Sequence, residues 1–462
     1  MKTEKVYIVT DLGPGDGGKG GVVHKITSMK DVHTIIKVGG AQGSHGVRTS
    51  AGESFAFSQW GCGTFEGVKT HLSSAFVALP IGLLNEANAL RYGHGVTNPF
   101  DLLTIDETVL CATPYHGIAS RLKEMARGNE PRGTIGTGVG EAVRDAERIP
   151  ECVILAADLK RPDLRDRLAA VRDQVRKDLV PITAQPFLRA DQPAVDKEID
   201  RLNDDNFLSH IVERFREVAE RATIIDHDFL GRIILNRKGA AVVEKSHGVL
   251  TDRFQGFHPH TSALRTLPRF TCAMLADAGF HGKIVNLGVT RAYQIRHGAG
   301  PMPTADPLMN DSLLPGSHKQ ENRFQGKVRV GPLDLVLLRY AIAVCGGPSA
   351  FDGLAITWFD QIRKNGAWHL CHAYGNAEDQ IYFTPSGDIR VCVDDNADQL
   401  THQRELGERL RTCIPKISTY TIEPSAEQNT FYELCAGLLQ NSLGVPVRMV
   451  SFGATEREKM CK

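Results

Sequence analysis

The feature that most constrains the fold is the glycine-rich stretch at residues 13–21, with the sequence GPGDGGKGG. It follows a short apolar run at 6–10 that predicts a buried strand, and it precedes residues 22–26, which predict the start of a helix. A strand, a glycine-rich turn and a helix form a phosphate cradle, because glycines let backbone N–H groups approach an anion and the helix N-terminus favours negative charge. We therefore expect a nucleotide- or phosphate-binding loop after the first strand.

The spacing of this loop is P-loop-like but incomplete. Gly13, Gly18 and Lys19 match the first part of G-x-x-x-x-G-K-[ST], whereas Gly20 stands where the Mg²⁺-binding hydroxyl is required. Asp16 inside the loop would repel a phosphate unless it serves as a metal ligand, as a base or as both. The alternative is a structural glycine turn with a solvated aspartate.

Composition narrows the function classes. The chain has 462 residues with 54 acidic and 54 basic side chains, a balance that argues against a nucleic-acid coat or a membrane-surface protein. No run of about 18 apolar residues predicts a membrane span, and the N-terminus lacks a signal-peptide h-region. The ten cysteines form no C-x-x-C pair, so we expect reduced thiols and a cytoplasmic protein. A metal site at residues 369–372 (HLCH) is disfavoured, because strand alternation would divide its ligands between two faces.

Two further glycine-rich turns follow the first. Residues 32–38 predict a second buried strand that leads into 39–46 (GGAQGSHG), and residues 133–140 (GTIGTGVG) precede a helical stretch. A doubly wound sheet places such turns at the carboxyl ends of its strands, where ligands bind. His45 is flanked by glycines in a polar loop, which suits an acid/base group, although a lone histidine can equally be structural. The third turn suits a phosphate monoester or, alternatively, a flexible linker.

The remaining pattern predicts one α/β domain. Further buried strands are expected at 240–244, 284–289, 355–360 and 445–452, and helices at 82–90, 115–126 and 428–443. A hairpin is expected at 381–394 around Ser386 and Gly387. We predict a single large domain over 1–462 with a central, mainly parallel sheet flanked by helices, and with insertions that include a charged helical segment at about 160–222.

Seven motifs in this order resemble those of the adenylosuccinate synthetase family. The first three are G-D-G-G-K-G (15–20), similar to the family's G-D-E-G-K-G, G-G-A-Q-G-S-H (39–45), similar to G-G-x-N-A-G-H, and G-T-I-G-T-G-V-G (133–140), similar to G-T-T-G-R-G-I-G. E-K-S-H-G (244–248), followed by Asp252, Gly256 and Pro259, has the spacing of the family's E-G-A-Q-G segment. The last three are R-A-Y-Q-I-R-H-G-A-G-P-M-P-T (291–304) for K-A-Y-x-T-R-V-G-x-G-P-F-P-T, T-W-F-D (357–360) for T-K-x-D, and S-F-G (451–453) for S-T-G.

This resemblance implies a mechanism in which GTP hydrolysis drives C–N bond formation on a purine nucleoside monophosphate, IMP in the family. Asp16 would take the N1 proton of a 6-oxopurine so that O6 accepts the γ-phosphoryl group. His45 would donate to the phosphates, and Lys19 would neutralise their charge. Mg²⁺ would be held by Asp16 and by the backbone carbonyl of Ser44. Asp360 would accept from the N1–H and 2-amino groups of the GTP guanine, with Trp358 stacked on that base.

The resemblance also implies the remaining site residues and partners. The further GTP-binding residues would be Gly15, Gly17, Gly18, Gly20, Gly43, Ser44, Arg329, Ser451 and Gly453. The acceptor nucleotide and the amine would contact Gln42, Thr134, Ile135, His247, Ser262 and Lys327. The amine would be an amino acid, aspartate by default, and the protein would be a homodimer without nucleic-acid or membrane partners.

The acceptor side departs from the family pattern. Gln42 replaces an asparagine, Ile135 the second threonine, and His247 a glutamine over the purine. The family's amino-acid loop A-T-T-G-R-x-R is represented by R-F-Q-G-K-V-R at 323–329, which keeps two cations but loses the threonine pair. We therefore predict a divergent paralogue, a GTP-dependent ligase whose acceptor is a 6-oxopurine nucleotide such as GMP, dGMP or a modified purine rather than IMP.

Two other functions are compatible with a nucleotide-binding loop. One is a regulator or sensor that keeps the GTP site without ligase turnover, and the other is a simple GTPase or kinase. Retention of both Asp16 and His45 argues against a pure binder, and the missing P-loop hydroxyl argues against a simple GTPase or kinase. The sequence identifies neither the acceptor, nor the amine, nor the pathway.

Overall fold

The computed structural model describes residues 2–314, 323–392 and 394–462. An eleven-stranded sheet forms its centre, in the order β18-β17-β14-β10-β1-β9-β2-β5-β6-β8 with β7 paired to β5. All of its pairings are parallel except that of β17 with β18. The strands are β1 Thr3–Asp11, β2 Val32–Gly40, β3 His45–Arg48, β4 Ser54–Phe57, β5 Lys69–Ala78, β6 Leu103–Asp106, β7 Leu110–Cys111, β8 Thr223–Ile225, β9 Gly239–Lys245, β10 Lys283–Arg291, β11 Gln294–Arg296, β12 Arg329–Gly331, β13 Leu333–Asp334, β14 Gly353–Thr357, β15 Ala367–Gly375, β16 Ile414–Thr421, β17 Val447–Ser451 and β18 Lys459–Cys461.

Helices flank this sheet, so the predicted α/β class with a large, mostly parallel central sheet is confirmed. They are α1 Lys19–Met29, α2 Pro80–His94, α3 Pro114–Met125, α4 Val139–Arg148, α5 Leu164–Thr183, α6 Gln192–Asn203, α7 Asp205–Arg221, α8 Pro268–Asp277, α9 Asn310–Leu313, α10 Leu335–Val344, α11 Phe359–Asn365, α12 Ala397–Thr412 and α13 Gln428–Leu443. No described helix is both long and apolar enough to cross a membrane.

The charged segment at 160–222 forms the three helices α5, α6 and α7. In α7, Leu208, Ile211, Phe215 and Val218 are buried at helical spacing, while the charged residues lie on the other faces. Helix α5 packs against α7 and α3, α7 also packs against α2, and α6 packs against α3. That this segment is an insertion within a single domain spanning the chain stays a prediction.

The central strands are buried on both faces, because helices cover the sheet on each side. All nine residues of β2 are buried, including the polar side chains of His33, Thr34 and Lys37, so burial does not alternate along this strand. The strands β14, β10, β1, β9 and β2 are neighbours, and their carboxyl ends therefore meet at one edge of the sheet. This edge carries the first and second glycine-rich loops and the segment after β9.

The hairpin predicted at 381–394 is wrong in extent. Within the described residues the segment forms a turn closed by one bridge pair, Phe383 with Ile389, and Val393 lies outside the described residues. Thr384 receives a hydrogen bond from the Asp388 N–H at 3.1 Å, and its hydroxyl lies 2.8 Å from that of Ser386. Such side-chain hydrogen bonds compete with the backbone hydrogen bonds of a strand pair. The turn residues that predict a hairpin therefore close only a local loop here.

Candidate active site

The first glycine-rich loop is organised by Asp11, the last residue of β1. Its fully buried carboxylate accepts the N–H of Gly13 at 2.8 Å, the N–H of Gly17 at 2.9 Å and the Lys19 ammonium at 2.7 Å. A Cβ on Gly17 would lie 2.8 Å from this carboxylate, so only glycine fits there. The sequence reasoning missed Asp11; the available signal was a charged residue at the end of an apolar strand, directly before a glycine loop.

Lys19 is buried and paired with Asp11. The ammonium therefore has a compensating carboxylate within the protein itself, and it also anchors the start of α1 to the end of β1. The predicted role of Lys19 in neutralising phosphate charge stays a prediction, in which an incoming phosphate would share this ammonium with Asp11.

Asp16 lies at the outer part of the same loop, in the left-handed region with φ 58°. Its carbonyl accepts a hydrogen bond from Arg291 Nε at 2.5 Å, and its carboxylate lies 2.7 Å from His297 Nε2. Both side chains of this Asp16–His297 pair are about a third exposed, at 35% and 32%. The carboxylate is therefore accessible to a ligand. His297 was not among the predicted site residues, although it stands where the family pattern has valine.

His45, the first residue of β3, is held by Glu244 near the end of β9. Its Nδ1 lies 2.7 Å from Glu244 Oε1, and the same carboxylate accepts the Lys37 ammonium at 2.7 Å and the Cys62 N–H at 2.8 Å. Burial lowers the pKa of His45, and hydrogen bonding to Glu244 opposes this effect. Burial disfavours ionisation of Glu244, but Lys37 and His45 outweigh it and hold the pKa of this carboxyl below its ordinary value. Neither Glu244 nor Lys37 was predicted.

Within the described ranges, the one group of three side chains with metal-ligating atoms close together is His45, Cys62 and Glu244. The Lys37 ammonium already lies against the shared carboxylate. Burial raises the pKa of the Cys62 thiol, so this sulfur stays protonated and is a poor ligand. The group is therefore a hydrogen-bonded cluster that orients His45.

Two of the predicted acceptor residues contact each other. Gln42 Nε2 lies 2.6 Å from His247 Nε2, although the two residues are 205 positions apart. Burial lowers the pKa of His247 to about 4, so its ring is neutral at pH 7 and can accept a hydrogen bond from the amide. His247 has φ 64°, in the left-handed region. Gln42 Oε1 is buried and has no hydrogen-bond partner among the described residues.

The third glycine-rich loop contacts both α3 and the segment that precedes β12. Thr134 Oγ1 lies 2.9 Å from Ser120 Oγ and accepts the N–H of Gly136 at 3.1 Å. Ile135 is 43% exposed, which is unusual for a large apolar side chain. A Cβ on Gly136 would lie 3.6 Å from the Phe324 ring, so the replaced amino-acid loop and the third loop are neighbours.

The donor side is linked to the first loop by Thr357, the last residue of β14. Its hydroxyl donates to the carbonyl of Gly17 at 2.7 Å, and a Cβ on Gly18 would lie 2.8 Å from that hydroxyl. The strand predicted to run through residue 360 ends here, because Trp358 has φ 59° and precedes α11. The Arg291 guanidinium lies 4.4 Å from the centroid of a Trp358 ring.

Asp360 lies in the first turn of α11, where its carboxylate accepts a hydrogen bond from Gln361 Nε2 at 2.7 Å. Burial raises its pKa. Ser451 ends β17, which pairs with β14, and its buried hydroxyl has no partner among the described residues. Glu458 occupies the space beside Gly453 that a side chain would need. The helix α11 packs against β17, so Asp360 and Ser451 lie on neighbouring elements, and their contact with a nucleotide base stays a prediction.

Three further predicted residues lie outside the glycine-rich loops in the sequence. Ser262 accepts a hydrogen bond from the N–H of Leu264 at 3.2 Å, which commits its hydroxyl to a local turn. Lys327 is exposed. Arg329 donates to the carbonyls of Gly298 and Gly300 at 2.6 Å each, close in sequence to His297, which pairs with Asp16. The roles assigned to all the site residues stay predictions.

A parallel sheet edge that carries a glycine-rich anion cradle, an accessible carboxylate and a histidine held by a buried carboxylate defines a nucleotide-dependent α/β enzyme. The profile of the family described as adenylosuccinate synthetase matches residues 8–461. The chain therefore belongs to the adenylosuccinate synthetase family, whose members are GTP-hydrolysing ligases that form a C–N bond. This confirms the family that the sequence motifs indicated.

Curated relatives cover most of the chain at modest identity. The adenylosuccinate synthetase of Thioalkalivibrio sulfidiphilus is 26% identical over 448 residues, which cover 95% of this chain and 94% of the relative. That of Porphyromonas gingivalis is 28% identical over 355 residues, which cover 74% of this chain and 76% of the relative. Divergence of this degree agrees with a distant member of the family.

Two solved structures share the fold. The fully ligated adenylosuccinate synthetase of Plasmodium falciparum has a TM-score of 0.75 at 16% identity, with 99% of each chain covered. The succinoaminodeoxyadenylate synthetase of cyanophage S-2L, bound to dGMP and to dATP as an energy donor, has a TM-score of 0.54 at 13% identity, with 100% of this chain and 96% of the other covered. At these identities the likeness establishes the architecture alone.

Proposed function

We propose that this protein transfers the γ-phosphoryl group of GTP to O6 of a 2-amino-6-oxopurine nucleotide, such as GMP or dGMP, and joins an amino acid at C6. The observation that carries the proposal is the unpartnered amide oxygen of Gln42. Its amide nitrogen is already engaged by His247, so Oε1 is an acceptor that awaits a donor. The exocyclic 2-amino group of a guanine supplies such a donor, whereas IMP has only a C–H at this position.

The chemistry at the purine falls to Asp16 and His45. Asp16 would accept the N1 proton, which makes O6 nucleophilic, and its partial exposure lets a substrate reach the carboxylate. His45 is oriented through Nδ1 by Glu244, so Nε2 is the ring nitrogen left for a phosphate oxygen. An amine would then displace phosphate from C6, which completes the C–N bond.

The residues present fit a Mg²⁺ ion, since Asp16 offers a carboxylate oxygen, and within the described part of the chain no atom beyond Gly15 and its chain neighbours lies within 4 Å of where a Cβ on Gly15 would be. Asp16 and the carbonyl of Ser44 would hold it. When bound, Mg²⁺ would offset the negative charge of the donor phosphates.

GTP as donor and aspartate as amine complete the proposal. Asp360 would select guanine by accepting from N1–H and the 2-amino group, and Trp358 would lie against the base. Lys327 and Arg329 retain two cations for an amino acid with a second carboxylate. A homodimer in the cytoplasm, implied by the family resemblance, belongs to the same proposal.

A competition experiment tests the proposal. Equimolar IMP, GMP and dGMP are incubated with GTP, Mg²⁺ and aspartate, and the products are separated by mass. We expect the succinyl derivative of a guanine nucleotide to exceed the IMP product at least tenfold, the scale on which an unsatisfied buried acceptor discriminates. A dominant IMP product would refute the acceptor assignment. GTP binding without any product from the full set of purine monophosphates would instead favour the regulatory function.

A further inference from the structure

One buried arginine, Arg291, contacts both the first glycine-rich loop and the donor side. It is the last residue of β10, it pairs with Thr357 at the end of β14, and 3% of its surface is exposed. Its Nε donates to the carbonyl of Asp16 at 2.5 Å, and its Nη1 donates to the Tyr293 hydroxyl at 2.8 Å. The same guanidinium lies 4.4 Å from the centroid of a Trp358 ring. Arg291 therefore joins the loop to the residue expected to lie against the donor base.

Two of the groups that Arg291 contacts have left-handed backbones. Asp16 has φ 58° and Trp358 has φ 59°. Of the four residues other than glycine with positive φ in the part of the chain that the structure describes, these two share the Arg291 guanidinium. A residue with a side chain keeps this conformation only where its neighbours hold it. Arg291 is such a neighbour for both residues.

The hydroxyl of Tyr293 places this contact between the two halves of the site. Burial raises the pKa of Tyr293, the hydrogen bond and the charge of Arg291 oppose this effect, and the charges of Asp360 and Asp16 add to it. Both carboxylates are therefore near enough to act on one hydroxyl. In the proposed function, Asp360 reads the donor base and Asp16 activates the acceptor, so Arg291 and Tyr293 lie between these two tasks.

The stacked pair of Arg291 and Trp358 is a feature of this chain. The family motifs K-A-Y and T-K-x-D have lysine at both positions, where this chain has R-A-Y at 291–293 and T-W-F-D at 357–360. A guanidinium is planar, so its face can pack on an aromatic ring while the N–H groups along its edge donate hydrogen bonds. A lysine ammonium is a compact charge without such a plane. Two lysines would therefore not reproduce this connection between the donor side and the loop.

We propose that Arg291 is a positioning residue that couples donor-base binding to the placement of Asp16. This rests on the proposed function, in that Trp358 is taken to contact the donor base. A base packed on the indole restricts the ring and the guanidinium beside it, which maintains the hydrogen bond from Arg291 to the Asp16 carbonyl. Asp16 is then held in its left-handed conformation when the donor is in place. Such a coupling is reciprocal, so an ordered loop also favours the donor base.

Hydrogen–deuterium exchange of the loop amides tests this coupling without any acceptor or amino acid. Exchange is measured on the peptide covering residues 12–18, with saturating Mg²⁺–pyrophosphate and with saturating Mg²⁺–GDP. Both ligands bring phosphates, but only GDP brings a base. In the wild type we expect exchange at least about fivefold slower with GDP than with pyrophosphate, the lower end of typical couplings between sites. In Arg291→Lys the two ligands should slow exchange equally.

Arg363→Lys is the matched control, because Arg363 makes the same two kinds of contact elsewhere. Its Nε donates to the carbonyl of Pro424 at 2.8 Å, and its guanidinium lies 5.2 Å from the centroid of the Phe431 ring. This variant should keep the wild-type difference between the two ligands. Trp358→Leu removes the indole but keeps Arg291, and it should abolish the difference. An unchanged thermal midpoint verifies that each variant is folded, and Trp358→Leu decides the test if Arg291→Lys is not.

Two results would overturn the proposal. One is equal exchange with GDP and with pyrophosphate in the wild type, and the other is a difference that persists in either folded variant, Arg291→Lys or Trp358→Leu. Because the exchange experiment needs no ligation, failure of the proposed function shows as missing product while base-dependent exchange remains. Failure of the coupling shows as base-independent exchange, whether or not product forms.

Discussion

The first glycine-rich loop and the Gln42–His247 pair, which we call the proposed acceptor pocket, differ in how their buried polar groups are hydrogen-bonded. In the loop, the charges of Lys19 and Asp11 compensate each other, and Asp11 also accepts two backbone N–H groups. In the acceptor pocket, Gln42 and His247 contact each other and leave Gln42 Oε1 without a partner among the described residues. The polar groups around Asp11 are therefore satisfied within the protein, whereas Gln42 Oε1 is not, and under the proposed function the choice of substrate should depend on the Gln42–His247 pair.

The largest effect is expected at Asp16, to which the proposed function gives two roles, general base and Mg²⁺ ligand. Asp16→Asn should lower kcat by at least about 10³-fold, because it removes the general base and replaces a charged Mg²⁺ ligand by a neutral amide oxygen. Steady-state kinetics with the preferred acceptor measure this loss, and an unchanged thermal midpoint verifies that the variant is folded. Asp31→Asn, an exposed aspartate at the other end of the sheet, is the control and should keep wild-type activity. A fully active Asp16→Asn enzyme would defeat the mechanism.

Asp11→Asn tests whether the Asp11–Lys19 ion pair stabilises the first glycine-rich loop. This change leaves the buried Lys19 ammonium uncompensated, so the free energy of unfolding should fall by about 3 kcal/mol. Denaturant titration measures the loss. The double variant Asp11→Asn with Lys19→Met should recover part of the stability, since it removes both charges. If the single variant is as stable as the wild type, the loop does not depend on this ion pair.

Asp360→Asn tests whether Asp360 selects guanine as the base of the phosphoryl donor. An amide can donate to the 2-carbonyl of xanthine where a carboxylate accepts from the 2-amino group of guanine, so the variant should use GTP less well and XTP better. The shift in relative kcat/KM should be about tenfold or more, the scale of a paired polar contact. A wild-type protein that binds ATP more tightly than GTP would show that Asp360 does not read the donor base.

The smallest effect concerns pH and the acceptor pocket. The pKa of His247 is lowered to about 4 in the folded protein, against an ordinary value near 6.5. The unfolded chain then binds more protons between these values, so the stability contributed by neutral His247 is present above about pH 6.5 and is lost as the pH falls towards 4. His247→Gln should therefore lose less stability than the wild type over this interval. Parallel unfolding curves of the two proteins would contradict this assignment.

Much of the architecture follows from the sequence because local patterns determine it. The helix α13 has the predicted bounds, and β1, β2 and β9 extend their predicted apolar runs by one to three residues at an end. Local sequence patterns predict the contacts of the candidate active site less well. The contacts of Gln42 with His247 and of His45 with Glu244 join residues 205 and 199 positions apart in the sequence, and the parallel order of β1, β9 and β2 brings them together.

The residues missed by sequence reasoning are those whose roles depend on tertiary neighbours. Nothing in the local sequence distinguishes Asp11 from other residues at strand ends. Its role depends on the hydrogen bonds that Gly13, Gly17 and Lys19 donate to its carboxylate in the folded loop. Arg291 is a polar residue at the end of a buried strand, and nothing local indicates that it contacts the backbone of Asp16. The end of β14 was also mispredicted, because Trp358 has a left-handed backbone conformation that ends a strand which the apolar sequence would continue.

The central claim is that the pair Gln42–His247 sets the choice of acceptor. It is tested most directly by the ratio of kcat/KM for GMP to that for IMP, measured with GTP and aspartate in the wild type and in the double variant Gln42→Asn, His247→Gln, which restores the family's residues. We predict a ratio of at least about ten in the wild type, falling by tenfold or more in the double variant. A wild-type ratio below one, or one that the double variant leaves unchanged, would contradict the claim.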